Sequence, residues 1–387
     1  MKSPNSHWTR RAALTTALAA LLSLAACGGG GDAPAVRSSQ IKTVLSEARG
    51  SDPGLAAAWV SDSAIVLAAD GNTRQAGKLP LSTEMWFHLG SNLKAMVAMA
   101  LAVQVERGKL RWNSTLAELF PDLAMGMLPA YRSVTVENLL SHRAGFVQLL
   151  SAPELGVVPA FSGDAKSQRL QFVAWATSVA PLATPGQAFF YSNAGYGVAG
   201  AVLERITGKA SEDAMAETLF KPLGLRYAFV YPAQVTGVQP TGHEVDAAGI
   251  ALEAVDLTDP LYTPPIYLYA AGHLSMPLAD YARFAQIQLR GLTGKPTLLT
   301  AETFKKLHTS FGIDPDIKLG YAMGWVVEPA AGNTTLSWHV GQLIGFTATI
   351  MVSPAADRAV VLLANYNDGL RPGVMDRTAR RLLALKP

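Results

Sequence analysis

Apolar residues run almost without a break from Met96 to Val105, and this is the strongest pattern in the chain. A helix that is apolar nearly all round has no face to give to water, so it is expected to be buried. Gly90 and Ser91 open it and Gly108 supplies the stop signal. On either side the pattern changes. Gln40 to Ala48 has helical spacing. Leu55 to Ser61 and Ala64 to Ala69 read as two short strands. From about Leu110 to Ile266 the pattern is mostly helix and loop. Thr135 is placed to cap a helix over Val136 to Leu140, and Asn193 to Thr207 reads as a helix ended by Gly208. The C-terminal part is expected to be strands, at Ala322 to Val327, Thr335 to His339, Thr347 to Val352 and Ala359 to Ala364, with a closing helix from about Gly373 to Leu385. Strands at both ends with helices between predict an α+β fold. One antiparallel sheet is completed by the two ends of the chain and flanked by helices, with a mostly helical region inserted at about 110–266.

The first 40 residues do not belong to that fold. Lys2, Arg10 and Arg11 precede an apolar run from Ala12 to Ala26, too short and too rich in small residues for a good membrane span. The run ends Leu24-Ala25-Ala26-Cys27, which resembles a lipoprotein signal-peptidase site, and Cys27 is the single cysteine in the chain. Residues 1–26 are therefore expected to be a lipoprotein signal peptide, 27–40 a flexible tether, and 41–387 the folded domain. Cys27 is the expected lipidation site. The protein would be exported and lipid-anchored to a bacterial membrane, facing the periplasm or the cell exterior. One cysteine excludes an internal disulfide. The formal net charge is +3, but all three cations of residues 1–26 lie where there is no acidic residue, so the rest of the chain is neutral. Neutrality gives no electrostatic reason to expect nucleic acid or anionic lipid as a partner.

The chemistry begins at Ser91-Asn92-Leu93-Lys94. A helix brings residues i and i+3 onto one face, so an amine one turn from a hydroxyl can take its proton. A helix N-terminus also favours negative charge developing on that oxygen. A lysine starts near pKa ~10.4, so being mostly neutral at pH ~7 needs a fall of about 3.5 pH units, or roughly 5 kcal/mol, which burial can supply. A second Ser-x-x-Lys, Ser39 to Lys42, has no buried helix behind it. Two further motifs raise the Ser91 copy. In Tyr191-Ser192-Asn193, a tyrosine held near Lys94 can act as a base if it stays partly ionised, and Asn193 can donate its amide to a substrate carbonyl. In Trp338-His339-Val340-Gly341, placed between two strands, Gly341 lets a substrate backbone approach a strand edge. The following N–H, of Gln342, can form an oxyanion hole with the N–H of Ser91. His339 can bring a donor or a positive charge. Each of these three features also has a structural reading as a cap, a core aromatic or a turn. His142 reads as a structural turn residue. Tyr262, Tyr267, Tyr269 and His273 read equally as pocket lining or as packing. The histidines lack metal-ligand spacing, and there is no Gly-x-Ser-x-Gly elbow or phosphate-binding glycine loop.

With these motifs in this order, and with the flanks Phe87-His88-Leu89-Gly90, Leu139-Leu140-Ser141-His142-Arg143-Ala144-Gly145, Phe220-Lys221-Pro222-Leu223-Gly224-Leu225 and Ala270-Ala271-Gly272-His273-Leu274-Ser275, the chain resembles the serine β-lactamase and penicillin-binding-protein family. It is similar to the class C-like branch, which holds class C β-lactamases, D-Ala-D-Ala carboxypeptidases, D-aminopeptidases and esterases. The resemblance covers about Ile41 to Leu385. It implies that Ser91 is the acylated nucleophile, Lys94 its proton acceptor or electrostatic partner, and Tyr191 the base or proton shuttle. It further implies that Asn193 orients substrate, that His339 stands where many relatives carry a lysine, that Gly341 gives access, and that Ser91 and Gln342 supply the oxyanion amides. No metal or organic cofactor is implied. Relatives that bind a free carboxylate often carry hydroxyls where this chain has Val340 and Gln342. A buried carboxylate without such partners is poorly compensated. The expected activity is therefore hydrolysis of a small-molecule ester, amide or short peptide, of esterase or D-amino-acid peptidase type. β-Lactamase or D-Ala-D-Ala carboxypeptidase activity is the alternative, and a non-catalytic sensor of the same fold is the alternative from another class.

Overall fold

Alternation along one strand explains why the sheet is covered on both sides. In β1 (Gly54–Val60), Leu55, Ala57 and Trp59 join one apolar cluster while Ala56, Ala58 and Val60 join another. All seven residues are buried. A strand packed on both faces reads as an unbroken apolar run. The structure is a computed structural model and describes residues 36–246, 252–255, 264–312, 318–329 and 335–387.

The remaining strands of the main sheet are β2 (Ile65–Gly71), β3 (Gly320–Tyr321), β4 (Val326–Pro329), β5 (Thr335–Leu343), β6 (Phe346–Ser353) and β7 (Arg358–Ala364). Their order is β2-β1-β7-β6-β5-β4-β3, every neighbouring pair antiparallel. The two ends of the chain meet where Leu55 pairs with Ala364. Helices α1 (Ser38–Arg49) and the C-terminal Val374–Leu383 cover the outer face through Ile41, Leu45, Ala379 and Leu382. On the inner face lie α2 (Leu93–Glu106), α3 (Asn193–Thr207) and α4 (Leu278–Leu292), in one large core. This is the α+β arrangement expected from the pattern.

Several elements differ from expectation. α1 starts at Ser38, so Ser39 is an exposed helical residue rather than tether, while Lys42 lies in the helix as expected. Ala322 to Val327 is not one strand. The chain turns at Gly324, whose φ is +82°, and a Cβ there would meet the Cα of Ala95 at 2.6 Å. The turn is pressed onto the start of α2 and separates β3 from β4, so only Val326 and Val327 of the expected strand are in a strand. The strand expected over Thr335 to His339 continues to Leu343, so the third motif lies inside β5 and not between strands. Strands alone do not describe the C-terminal part, because α4 precedes them. Its buried Leu278, Tyr281, Ala282, Ala285 and Leu289 recur at helical spacing. The helix over Val136–Leu140 is capped by Thr135, whose hydroxyl accepts from the Asn138 N–H, and α3 ends on left-handed Gly208. No helix among the described residues is long and apolar enough to cross a membrane.

Candidate active site

Ser91 sits in a single 3-10 turn, Gly90–Asn92, that leads directly into α2. The turn is possible because Gly90 adopts φ +51°, a conformation that suits glycine. On its other side lies β5. A Cβ on Gly341 would be 2.8 Å from the Ser91 nitrogen, and one on Gly90 would be 2.8 Å from the Gln342 nitrogen. The two N–H groups expected to form an oxyanion hole therefore belong to backbone segments in direct contact. β4 pairs with β5 only as far as Trp338, which leaves the far end of that edge to the nucleophile turn.

Lys94 is fully buried, one helical turn from Ser91. Its Nζ lies 2.9 Å from Ser91 Oγ, 2.9 Å from Asn193 Oδ1 and 2.6 Å from the carbonyl oxygen of Ala271. The Asn193 amide is oriented by its other end, where Nδ2 donates to the Leu149 carbonyl at 2.9 Å. Both Asn193 Oδ1 and the Ala271 carbonyl can only accept. Nζ donates to the Ser91 hydroxyl oxygen as well, and a neutral amine can give its two N–H donors to Asn193 and Ala271 while its lone pair takes the Ser91 proton. Burial holds the Lys94 pKa well below its usual value. All three hydrogen-bond partners are uncharged. The rings of Tyr191 and Tyr196 lie 4.9 and 5.4 Å from Nζ and offer π faces to a cation, but desolvation is the larger effect.

Tyr191 precedes the Ser192 cap of α3, so its position is set by the helix start. Burial raises its pKa, while hydrogen bonding to Ser91 pulls the other way. The structure thus corrects the expectation of a partly ionised tyrosine: Tyr191 is a neutral phenol facing Ser91. Its ring packs against His142, with centroids 4.2 Å apart and the planes tilted by 40°. One of the two Asn193 amide N–H donors is used on Leu149, which leaves the other for the expected contact with a substrate carbonyl.

His339 is nearly inaccessible on β5, with Nε2 3.1 Å from the Tyr321 hydroxyl. Burial first, and Lys94 second, push its pKa down to about 3. It is neutral near pH 7 and supplies no positive charge, contrary to one of the two expectations for it. Gly341 also has a different use from the expected one. A Cβ there would lie 2.0 Å from the Leu89 carbonyl oxygen, so the missing side chain admits the protein's own backbone. The Gln342 side chain is exposed and donates to Asp368. Cys27 and Tyr262 lie outside the described residues.

Some neighbours were not legible as site residues. His142 holds a positive φ of 58° and accepts the Ser192 N–H at its Nδ1, 3.0 Å away. It braces Tyr191 from behind. Tyr321 and the Ala271 carbonyl arrive from strand and helix segments far along the chain. Behind Gly90 stands a pair of buried histidines. His88 Nδ1 accepts the Gly90 N–H at 3.2 Å, and His88 Nε2 lies 3.3 Å from His273 Nδ1. Burial lowers both pKa values, that of His273 to about 4. Tyr267 stacks on Phe172 at 4.6 Å and belongs to the core. Among the described residues no group of three or more His, Cys, Asp or Glu is placed to hold a metal ion.

Ser91, Asn193, Gln342 and His273 border an open cleft of about 380 Å³. A buried amine beside a hydroxyl, a phenol facing the same oxygen and two adjoining backbone amides together suit acyl transfer.

Comparison with known proteins agrees with this geometry. Penicillin-binding protein 4 of Amycolatopsis lactamdurans is 26% identical over 237 residues, covering 61% of this chain and 59% of that protein. The chain thus spans a little over half the length of such curated relatives. The D-amino acid amidase of Ochrobactrum anthropi SV3, solved with L-phenylalanine amide, superposes with a TM-score of 0.70 at 20% identity, over 89% of this chain and 97% of that one. A β-lactamase from Sulfitobacter sp. EE-36 gives a TM-score of 0.72 at 19% identity, over 90% and 98%. At these identities the two structures speak for the fold alone. The β-lactamase family model matches residues 43–385. The chain belongs to the β-lactamase family.

Proposed function

We propose that the protein is a serine hydrolase that cleaves an ester or amide through an acyl-enzyme on Ser91, of the esterase or D-amino-acid amidase type. The observation that carries this reading is Lys94. It is fully buried among neutral partners and lies 2.9 Å from Ser91 Oγ. As neutral Lys94 takes the Ser91 proton, Oγ bonds to the substrate carbonyl carbon. The oxyanion is met by the N–H groups of Ser91 and Gln342. The bond to the leaving group then breaks, and that group takes a proton from Tyr191, which is restored from protonated Lys94. Water, activated by the same pair, attacks the ester and releases the acid and free Ser91.

Substrates with a free carboxylate, such as β-lactams and D-Ala-D-Ala peptides, are the second reading. Neutral His339 together with Val340 and the exposed Gln342 gives a carboxylate little compensation, so small uncharged esters and amides rank first. The protein would act outside the cytoplasm, held to a membrane by lipid on Cys27.

Treatment with a fluorophosphonate followed by peptide mapping tests the nucleophile. Ser91 should be the single labelled residue, and labelling that survives Ser91→Ala overturns the assignment. Turnover of the acyl-enzyme on a p-nitrophenyl ester separates a hydrolase from a sensor, which would stay acylated.

A further inference from the structure

The turn between β5 and β6 breaks a strong conformational rule. Leu343 pairs with Phe346, so Ile344 and Gly345 form a two-residue hairpin loop, with φ +45° and +71°. Such loops want Asn-Gly or Gly-Gly, because both central residues are left-handed. Gly345 meets the demand. Ile344 does not, since a β-branched side chain is an outlier there. A second non-glycine outlier, Leu149 at φ +53°, lies on a different loop. Its carbonyl is held by Asn193, and the Asn193 N–H donates to Gln148 at 2.8 Å. Of the five non-glycine residues with positive φ among the described residues, these two line the cleft that holds Ser91. Strain of this kind persists where surrounding structure enforces it, and it gathers at ligand sites.

The cleft wall is aliphatic: Leu149, Leu150, Leu155, Leu268, Leu343 and Ile344 contribute to it. None of its described lining residues is Asp, Glu, Lys or Arg. The same wall includes Ser91, Asn193 and Gln342 but neither Tyr191 nor His339. A leaving group must take its proton on the Tyr191 side. The group that stays on Ser91 then lies on the other side, in the cleft. We infer that this cleft is an acyl pocket for an uncharged aliphatic chain of several carbons, and that Ile344 is kept in a left-handed turn to shape it. The inference rests on the acyl-enzyme reading above and names its substrate class.

The test compares p-nitrophenyl acetate, hexanoate and the monoglutarate, which carries a free carboxylate, on wild type and Ile344→Gly. Each buried methylene is worth about fourfold in kcat/KM. Wild type should prefer hexanoate to acetate by at least about tenfold and should turn over the monoglutarate worst. Ile344→Gly relieves the turn while removing a buried side chain, and its hexanoate-to-acetate ratio should fall at least about fivefold. If that variant does not fold, Ile344→Asn, which also tolerates a left-handed turn, replaces it with the same expectation. An unchanged ratio, or a wild type that favours acetate or monoglutarate, overturns the inference. Labelling of Ser91 by a fluorophosphonate in the same preparation tells the two failures apart. With Ser91 labelled and no chain-length preference, the pocket assignment alone falls. With Ser91 neither labelled nor acylated by any ester, both readings fall.

Discussion

The Cα of Gly341 faces the carbonyl of Leu89 so closely that a Cβ would stand 2.0 Å from its oxygen. This contact joins the sheet to the nucleophile turn. Gly341→Ala must push β5 away from Gly90–Asn92, which moves the Gln342 N–H relative to Ser91. Overpacking of this kind costs about 1–3 kcal/mol. Loss of an oxyanion donor costs about 100-fold or more in kcat. The variant should fold with a lower urea midpoint and lose at least that much turnover. Wild-type kcat on the best ester would show that the contact is slack.

Lys94 makes stability depend on pH in a defined direction. Its folded pKa lies well below the unfolded value, so between the two the unfolded chain binds the extra proton. Stability is therefore greatest above the unfolded pKa of about 10.4 and falls as pH drops toward the folded value. Lys94→Met removes that dependence. It also leaves the Ala271 carbonyl without its donor, at a fixed cost of about 1–3 kcal/mol. The Tm difference between variant and wild type should thus move in favour of Lys94→Met as pH falls from about 10 to 7, while kcat drops at least about 100-fold. A pH-independent difference in Tm would mean that Lys94 is charged in the folded protein. His339→Gln should leave the shape of the kcat/KM profile above about pH 5 unchanged, because His339, at about 3, is already neutral there.

The Ser91–Lys94 relationship was legible because i and i+3 spacing survives any packing, and α2 could be read as buried because no polar face interrupts it. The helix over Val136–Leu140 and α3 were legible through Thr135 and Gly208, whose local hydrogen bonding and backbone angles act within one turn. The partners that tune Lys94 were not. Ala271 contributes only a carbonyl, which every residue has. Tyr321 reaches His339 from a two-residue strand with no signal of its own. Gly341 looked like a door for substrate, because sequence cannot distinguish a foreign backbone from the protein's own. The charge state of Tyr191 depends on burial by His142 and Tyr321, contacts set by tertiary packing.

A stability element lies away from the cleft. Arg169 is buried, with Nη1 2.5 Å from Glu204 and Nη2 paired to Glu212. Burial raises the Glu212 pKa despite that pairing. Arg169→Met leaves two carboxylates without their cation, and such losses cost about 3–5 kcal/mol. Urea denaturation should show a drop of that size. Adding Glu204→Gln and Glu212→Gln should recover part of it. A variant as stable as wild type would mean that water reaches the carboxylates.

Cys27→Ser addresses the anchor. One acyl chain binds a membrane marginally and two hold firmly, so a diacylated N-terminal cysteine should fractionate with membranes. Full-length protein expressed in bacteria should be membrane-bound and begin at Cys27, and the variant should be soluble. If both forms are soluble and start at the same residue, the chain is an ordinary secreted protein.

The pairing of Leu55 with Ala364 has a consequence for the order of events in synthesis. β1 is made well before its partner β7, with the whole nucleophile and helical region between them. Contacts so far apart in sequence are slow to form and cannot reward the chain until both strands have been made. β1 must wait, unpaired along one edge, while the nucleophile and helical regions are made. The topology that closes the sheet thus also delays the completed nucleophile site until β7 has been made.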